Sequence, residues 1–229
     1  MLPAATRPSV VGWPWFLGLY LLLTLWIILG RALVPEALFA GIKNSGYVAV
    51  MLVGVWMFRD AFTRSWQTTR RRPFQALAMV AVAIALMGVA SAVSQAAILV
   101  VGSSEPGANQ SAISSEVLAA SASLFAAFLF VGLGGLVAPV VEELVFREIP
   151  FGRLRHVIST GTAMILSCLV FTAIHIRGWD EWPLMLLYAG YAVALASAYL
   201  LSGRNLLACI TAHALWNGIG LVFLLVSAR

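Results

Sequence analysis

Two adjacent glutamates and an arginine, Glu142, Glu143 and Arg147, continue an apolar stretch long enough to lie in a membrane. His175 and His213 occur inside later stretches of the same kind, and Asn217 follows His213 by four residues. Ionisable groups at membrane depth are costly and rare unless they pair or act. Their combined chemistry would be water activation. A carboxylate shielded from solvent can take a proton from water and later return it to a leaving group. Neutral imidazoles can hold a divalent metal, or orient water and an oxyanion themselves. The Asn217 amide can donate to charge growing on a carbonyl oxygen, where loss of such a donor costs roughly 3–4 kcal/mol of barrier. Together these groups would hydrolyse an amide bond. The chain has no HExxH, GxSxG or GxGxxG pattern, and no serine or cysteine nucleophile with a base nearby in sequence.

Helical spacing divides the roles. Residues three or four apart share a face, so Glu143 and Arg147 are placed to pair, while Glu142 points roughly 100° away and is left for another partner. Spacing alone also allows the reverse assignment. Phe171 and His175 are four apart, as are His213 and Asn217, whose imidazole and carboxamide can converge. The polar turn 155–161 lies midway between Glu142 and His175, so antiparallel helices folded there bring both to similar depth. His213 lies a short way in from the turn Ser202-Gly203-Arg204-Asn205, so three helices deliver polar groups to one layer. Each group alone has a plainer explanation: a single intramembrane histidine or asparagine bridges helices, and a Glu–Arg pair serves as a tie. The conjunction carries the functional reading.

The elements that position these residues follow from composition. The chain has 229 residues, 62% hydrophobic and 10% charged, against about a quarter charged in soluble domains. It reads as an all-α, polytopic transmembrane helical bundle of about seven spans, near 13–34, 38–58, 74–101, 117–146, 159–177, 183–202 and 206–227, each close to the 20 or so apolar residues a span needs. Residues 1–116 hold three spans and 117–229 four. The first is read as a retained span rather than a cleaved signal peptide. Pro150 is expected to end or kink the helix after Arg147.

The net charge of +5 arises mainly from loops, so membrane topology explains it and no nucleic-acid partner is expected. Arg59, Arg64, Arg70, Arg71 and Arg72 fall between spans two and three. Arg153, Arg155 and His156 follow span four, and Arg7 precedes span one. The segment from Gly102 to Glu116 has no Lys or Arg. The positive-inside bias puts the N-terminus and the arginine-rich loops in the cytoplasm. Trp13, Trp15, Trp179 and Trp182 suit interfacial belts. Arg177, Asp180 and Glu181 suit a solvated outer loop, and His156 a solvated surface position. Cys168 and Cys209 read as buried, inert thiols, and Gly132, Gly134 and Gly135 permit close helix approach.

The EExxxR of Glu142, Glu143 and Arg147, the FxxxH of Phe171 and His175, and the HxxxN of His213 and Asn217 come in the order seen in CPBP intramembrane proteases. These are the type II CAAX prenyl endopeptidases and bacteriocin-processing relatives, also called the Abi family. The resemblance covers about 117–227. It implies an intramembrane endopeptidase of the plasma membrane of a prokaryote, with its site opening towards the cytoplasm. Its substrate would be a protein or peptide, either a prenylated tail or a bacteriocin-like precursor. By position, Glu142 and His175 would activate water, His213 and Asn217 would stabilise the oxyanion, and Glu143, Arg147 and Phe171 would support them. If a metal is used, Zn2+ or another divalent ion would sit on Glu142, His175 and His213, with Asn217 as a further candidate; a metal-free glutamate mechanism is the other option. Glu148 departs from the pattern, since many relatives carry a small residue there. The rival functions are a non-catalytic role in bacteriocin immunity or scaffolding, and a proton-coupled transporter. The chain shows neither the repeats nor the paired broken helices of many transporters.

Overall fold

Proline and small polar residues mark where several of the helices begin. A computed structural model describes residues 12–102, 107–176 and 178–228; Arg7 and Arg177 lie outside them. The helices are α1 (Trp13–Leu29), α2 (Glu36–Met57), α3 (Arg59–Arg71), α4 (Pro73–Val101), α5 (Ala108–Ala120), α6 (Leu124–Gly132), α7 (Ala138–Glu143), α8 (Thr160–His175), α9 (Trp182–Leu201) and α10 (Leu206–Ser227). Pro73 and Pro183 occupy the first turns of α4 and α9, where a missing N–H is no loss. The side-chain oxygens of Ser123, Ser159 and Asn205 accept the free N–H groups of Ala126, Thr162 and Ala208, at 3.1, 3.0 and 3.3 Å. Such caps fix helix starts. Gly102, at φ 69°, takes the left-handed conformation that closes α4.

Among the described residues, six helical stretches are long and apolar enough to cross a bilayer: Trp13–Ala32, Glu36–Met57, Pro73–Val101, Leu124–Arg153, Trp179–Leu201 and Leu206–Ser227. The seventh expected span, α8, has 16 residues, about 24 Å at 1.5 Å each. The protein is thus an integral membrane helical bundle, in which the described residues form six full-length helices and one shorter one. Within it, α4 packs along α9, α8 lies against α9, and α10 packs on α4 and on the stretch from α6 to α7. Trp15 and Trp179 are exposed and Trp182 half so.

Three boundaries differ from the sequence expectations. The arginine-rich segment after span two is helical: α3 buries Ala61 and Ser65 and turns its arginines outward. The polar segment before span four contains α5, and residues 117–120 belong to α5 rather than to the next helix. The composite helix Leu124–Arg153 runs beyond Pro150, because a π-helical stretch, Leu144–Arg153, accommodates the proline. Proline removes the donor that the Phe146 carbonyl would receive in an α-helix; in the π geometry seen here Ser167 Oγ on α8 also donates to that carbonyl, at 2.6 Å. This is the side-chain compensation that lets proline persist in a membrane helix. Arg153, expected in a solvated loop, is buried, whereas His156 and Asp180 are exposed as expected.

Candidate active site

The composite helix carries both glutamates, and a π-helical stretch flanks them on each side, at Leu133–Val137 and Leu144–Arg153. Such irregularities re-aim side chains and recur at functional sites. Gly135 faces Gly218 of α10 so closely that a Cβ there would come within 3.0 Å of the Gly218 Cα. The expected close approach of helices at the glycine cluster is therefore present, and it brings α10 and its His213 against the glutamates.

Glu143 is fully buried and meets two partners. His213 Nδ1 donates to its Oε1 at 2.8 Å, and Arg147 Nε lies 3.3 Å from its Oε2. The second contact is an ion pair without hydrogen-bond alignment, since Arg147 Nε and Glu143 Oε2 have no hydrogen-bond partner among the described residues. Arg147 is also fully buried; its Nη2 reaches the Ala192 carbonyl at 3.5 Å, and its guanidinium lies 5.2 Å from the Phe171 ring centroid. The expected Glu143–Arg147 pair is thus formed. The hydrogen bond from His213 to Glu143 was not anticipated from spacing, which cannot reach between distant segments.

With Nδ1 engaged, the other nitrogen of His213 is left to face Glu142: Nε2 lies 3.8 Å from Glu142 Oε2, too far for a direct hydrogen bond and about the span a shared small ligand would bridge. His175 is oriented by a different device. Its Nδ1 bonds the Phe171 carbonyl at 2.7 Å, so its Nε2 is not used within α8. Its ring stacks on Tyr188 with centroids 4.6 Å apart at 25°. Phe171 lies between the two imidazoles, 4.5 Å from the ring of His175 and 6.3 Å from that of His213. Tyr188 is a site residue that spacing did not reveal; its hydroxyl accepts from Asn109 Nδ2 of α5 at 2.8 Å. Asn217 Nδ2 donates to the Gly134 carbonyl at 3.4 Å, a long contact.

Glu142, Phe171, His175, His213 and Asn217 all line one cavity of about 1110 Å³. Glu143 and Arg147 stand behind it. Among the described residues, no three His, Cys, Asp or Glu side chains are grouped so as to hold a metal ion. In this arrangement His213 Nδ1 is committed to Glu143, and the donors expected for Zn2+ do not form a closed ligand set.

Glu148, the residue that departs from the family pattern, does not face this cavity. It is buried and accepts from Tyr199 Oη at 2.7 Å and Arg64 Nη2 at 2.9 Å, with Arg153 Nε at 3.1 Å. Arg153 Nη2 continues to Asp60 at 2.6 Å. Burial pushes the Asp60 carboxyl upward in pKa, but hydrogen bonds from Arg153 and Arg64 outweigh it and hold the group below the ordinary aspartate value.

Residues 122–219 match the family model described as Type II CAAX prenyl endopeptidase Rce1-like. The match spans all three motifs and agrees with the resemblance they carried. No curated protein and no solved structure matches the chain.

Proposed function

From a stretch that carries the model of the Rce1-like type II CAAX prenyl endopeptidases, we propose that the protein hydrolyses a peptide bond inside the membrane bundle, with Glu142 as general base. The observation that supports this best is the lining of one cavity by Glu142, His175, His213 and Asn217, drawn from three separate helices. In the proposed reaction Glu142 takes a proton from a water molecule, whose oxygen attacks the scissile carbonyl. His175 Nε2 orients that water, since its Nδ1 is already bonded to the Phe171 carbonyl. The growing oxyanion accepts from the Asn217 amide, which has a second N–H beyond the one directed at Gly134. Glu142 then returns its proton to the leaving amine as the C–N bond breaks, giving a carboxylate and an amine. Glu143 holds His213 in the tautomer whose Nε2 faces Glu142, and Arg147 pairs with Glu143 from behind.

The substrate is proposed to be a protein or peptide, a prenylated tail or a bacteriocin-like precursor. Apolar side chains such as Leu129, Phe130, Leu133 and Leu187 form much of the cavity wall, which suits an apolar segment. Glu142 lies 18 residues after Leu124 and 11 before Arg153, so the proposed chemistry sits in the half of the bundle nearer α3. Charge bias proposes that the α3 side and the N-terminus face the cytoplasm of a prokaryotic plasma membrane. A divalent ion on Glu142, His175 and His213 is a separate proposal, which metal analysis of active protein and chelator sensitivity would test; the steps above use the chain's own residues alone. The primary test is a processing assay on purified protein with Glu142→Ala and His175→Ala. Loss of cleavage in both is expected. Unchanged cleavage would dismiss these roles, and an immunity phenotype preserved by Glu142→Ala would favour the scaffold.

A further inference from the structure

His175 is the last residue of α8, and the chain leaves it in extended geometry at Ile176, φ −121° and ψ 157°. The imidazole therefore lacks the support of a following helical turn. Its Nδ1 bond to the Phe171 carbonyl, 2.7 Å, fixes one edge of the ring. One hydrogen bond leaves the ring free to tilt about it, because the second side-chain torsion of histidine is broad. Where Nε2 points then depends on what presses against the ring faces.

Two aromatic rings press there. Phe171 stands one turn back on α8, with its centroid 4.5 Å away and its plane at 33°. Tyr188 comes from α9 at 4.6 Å and 25°, the flatter of the two contacts. Tyr188 is 5% exposed and is itself held at two points. Its ring meets Tyr191 edge-on at 6.3 Å, and Tyr191 Oη shares a 2.7 Å hydrogen bond with Ser91 Oγ of α4. Its hydroxyl accepts from Asn109 Nδ2 at 2.8 Å and, more weakly, from Gln110 Nε2 at 3.4 Å. Both amides belong to α5. Gly107, at the start of α5, lets that helix reach α9: a Cβ there would collide with the Leu184 side chain. Asn109 and Gln110 precede the stretch 122–219 that matches the family model, so this support comes from the other part of the chain.

We propose that Tyr188 is a positioning residue for His175: its ring fixes the tilt of the imidazole, and α5 fixes that ring through Asn109. The task of the aimed Nε2 rests on the hydrolase reading, whereas the restraint of the ring does not. Offset aromatic contacts attract beyond the area they bury, and a reacting group misplaced by about 1 Å can cost 10²-fold in rate. Tyr188 acts through His175, not on the water or the scissile carbonyl. Because Tyr188 and Asn109 also line the cavity, the competing role is direct contact with the substrate, which would show in KM rather than kcat.

The first arm of the test needs no turnover. Deuterium exchange at the imidazole C2 carbon, read by mass spectrometry of the protein in detergent, reports how closely each histidine ring is held. Tyr188→Leu should speed exchange at His175 about fivefold or more, and at the exposed His156 less than about twofold. Unchanged exchange at His175 overturns the proposal. The second arm is cleavage of a fluorogenic peptide. Tyr188→Leu should lower kcat about tenfold or more with KM within about twofold, while Tyr188→Phe, which keeps the ring, should stay within about threefold of wild type. Asn109→Ala should match Tyr188→Phe, and the double variant should be no slower than Tyr188→Phe alone, because both changes remove the same bond. A raised KM at unchanged kcat, or losses that multiply, also overturns the proposal. Should Tyr188→Leu not fold, Tyr188→Phe and Asn109→Ala carry the exchange arm; about twofold faster exchange at His175 is expected in each, and none refutes the restraint. A wild-type protein that cleaves nothing counts against the hydrolase reading, while exchange still decides whether Tyr188 holds the ring.

Discussion

Replacing Glu143 by glutamine separates the structural glutamate from the proposed catalytic one. Glu143 and Arg147 are both fully buried. Glutamine keeps the volume and can still accept from His213, but it removes the only carboxylate that pairs with Arg147 among the described residues. Arg147 then retains a 3.5 Å contact to the Ala192 carbonyl and the face of Phe171, neither of which compensates a full charge. Breaking a buried ion pair by removing one partner costs about 3–5 kcal/mol. At about 2–4 °C per kcal/mol for a chain of this size, the unfolding midpoint should fall by roughly 6–20 °C. Glu142 borders the cavity, and its nearest cationic candidate, His213 Nε2, is 3.8 Å away. Glu142→Gln orphans no buried charge and should shift stability by no more than about 1 kcal/mol, the scale of one hydrogen bond. Thermal unfolding in detergent, followed by tryptophan fluorescence beside a peptide-cleavage assay, reads both quantities. The expected pattern is an inactive, stable Glu142→Gln and a destabilised Glu143→Gln. Equal destabilisation of the two, or a larger loss for Glu142→Gln, would refute the division of roles.

Ser167→Ala removes the hydroxyl donated to the buried Phe146 carbonyl, so stability should drop by about 0.5–1.5 kcal/mol, read as a shift in denaturation midpoint. Gly135→Leu forces a side chain against the Gly218 backbone; overpacking of this kind costs about 1–3 kcal/mol, and cleavage should fall as His213 moves from Glu143. Asp60 has a native pKa below its ordinary value, so its contribution is fully present above that value and is lost as pH falls through the lowered one. The stability gap between wild type and Asp60→Asn, measured by unfolding across pH, should therefore close below about pH 4.

The long apolar helices were legible because hydropathy over some twenty residues is a strong signal, and capping residues such as Ser159 and Asn205 stand where helices begin. The Glu143–Arg147 pair was legible because it is local, four residues apart on one helix. The partnership of His213 with Glu143 was not, since it joins residues seventy positions apart through the glycine contact at Gly135. Tyr188 was missed for the same reason: its stacking on His175 depends on how α9 rotates against α8. Of the two outcomes expected at Pro150, the helix does not end there: α geometry gives way to a π-helical stretch that carries the chain on to Arg153, and the Ser167 hydroxyl bonds the Phe146 carbonyl beside it. Arg153 was assigned to solvent from its neighbours in sequence; Asp60 and Glu148, from other elements or another turn, draw it inside.

The claim that Glu142 and His175 act on one water molecule is tested most directly by a double-mutant cycle on peptide cleavage. Glu142→Gln and His175→Ala should each lower kcat/KM by about 10²–10⁴-fold. The double variant should be no slower than the worse single one, because groups that act as a unit are lost together. Losses that multiply, or a single variant that cleaves like wild type, would contradict the account.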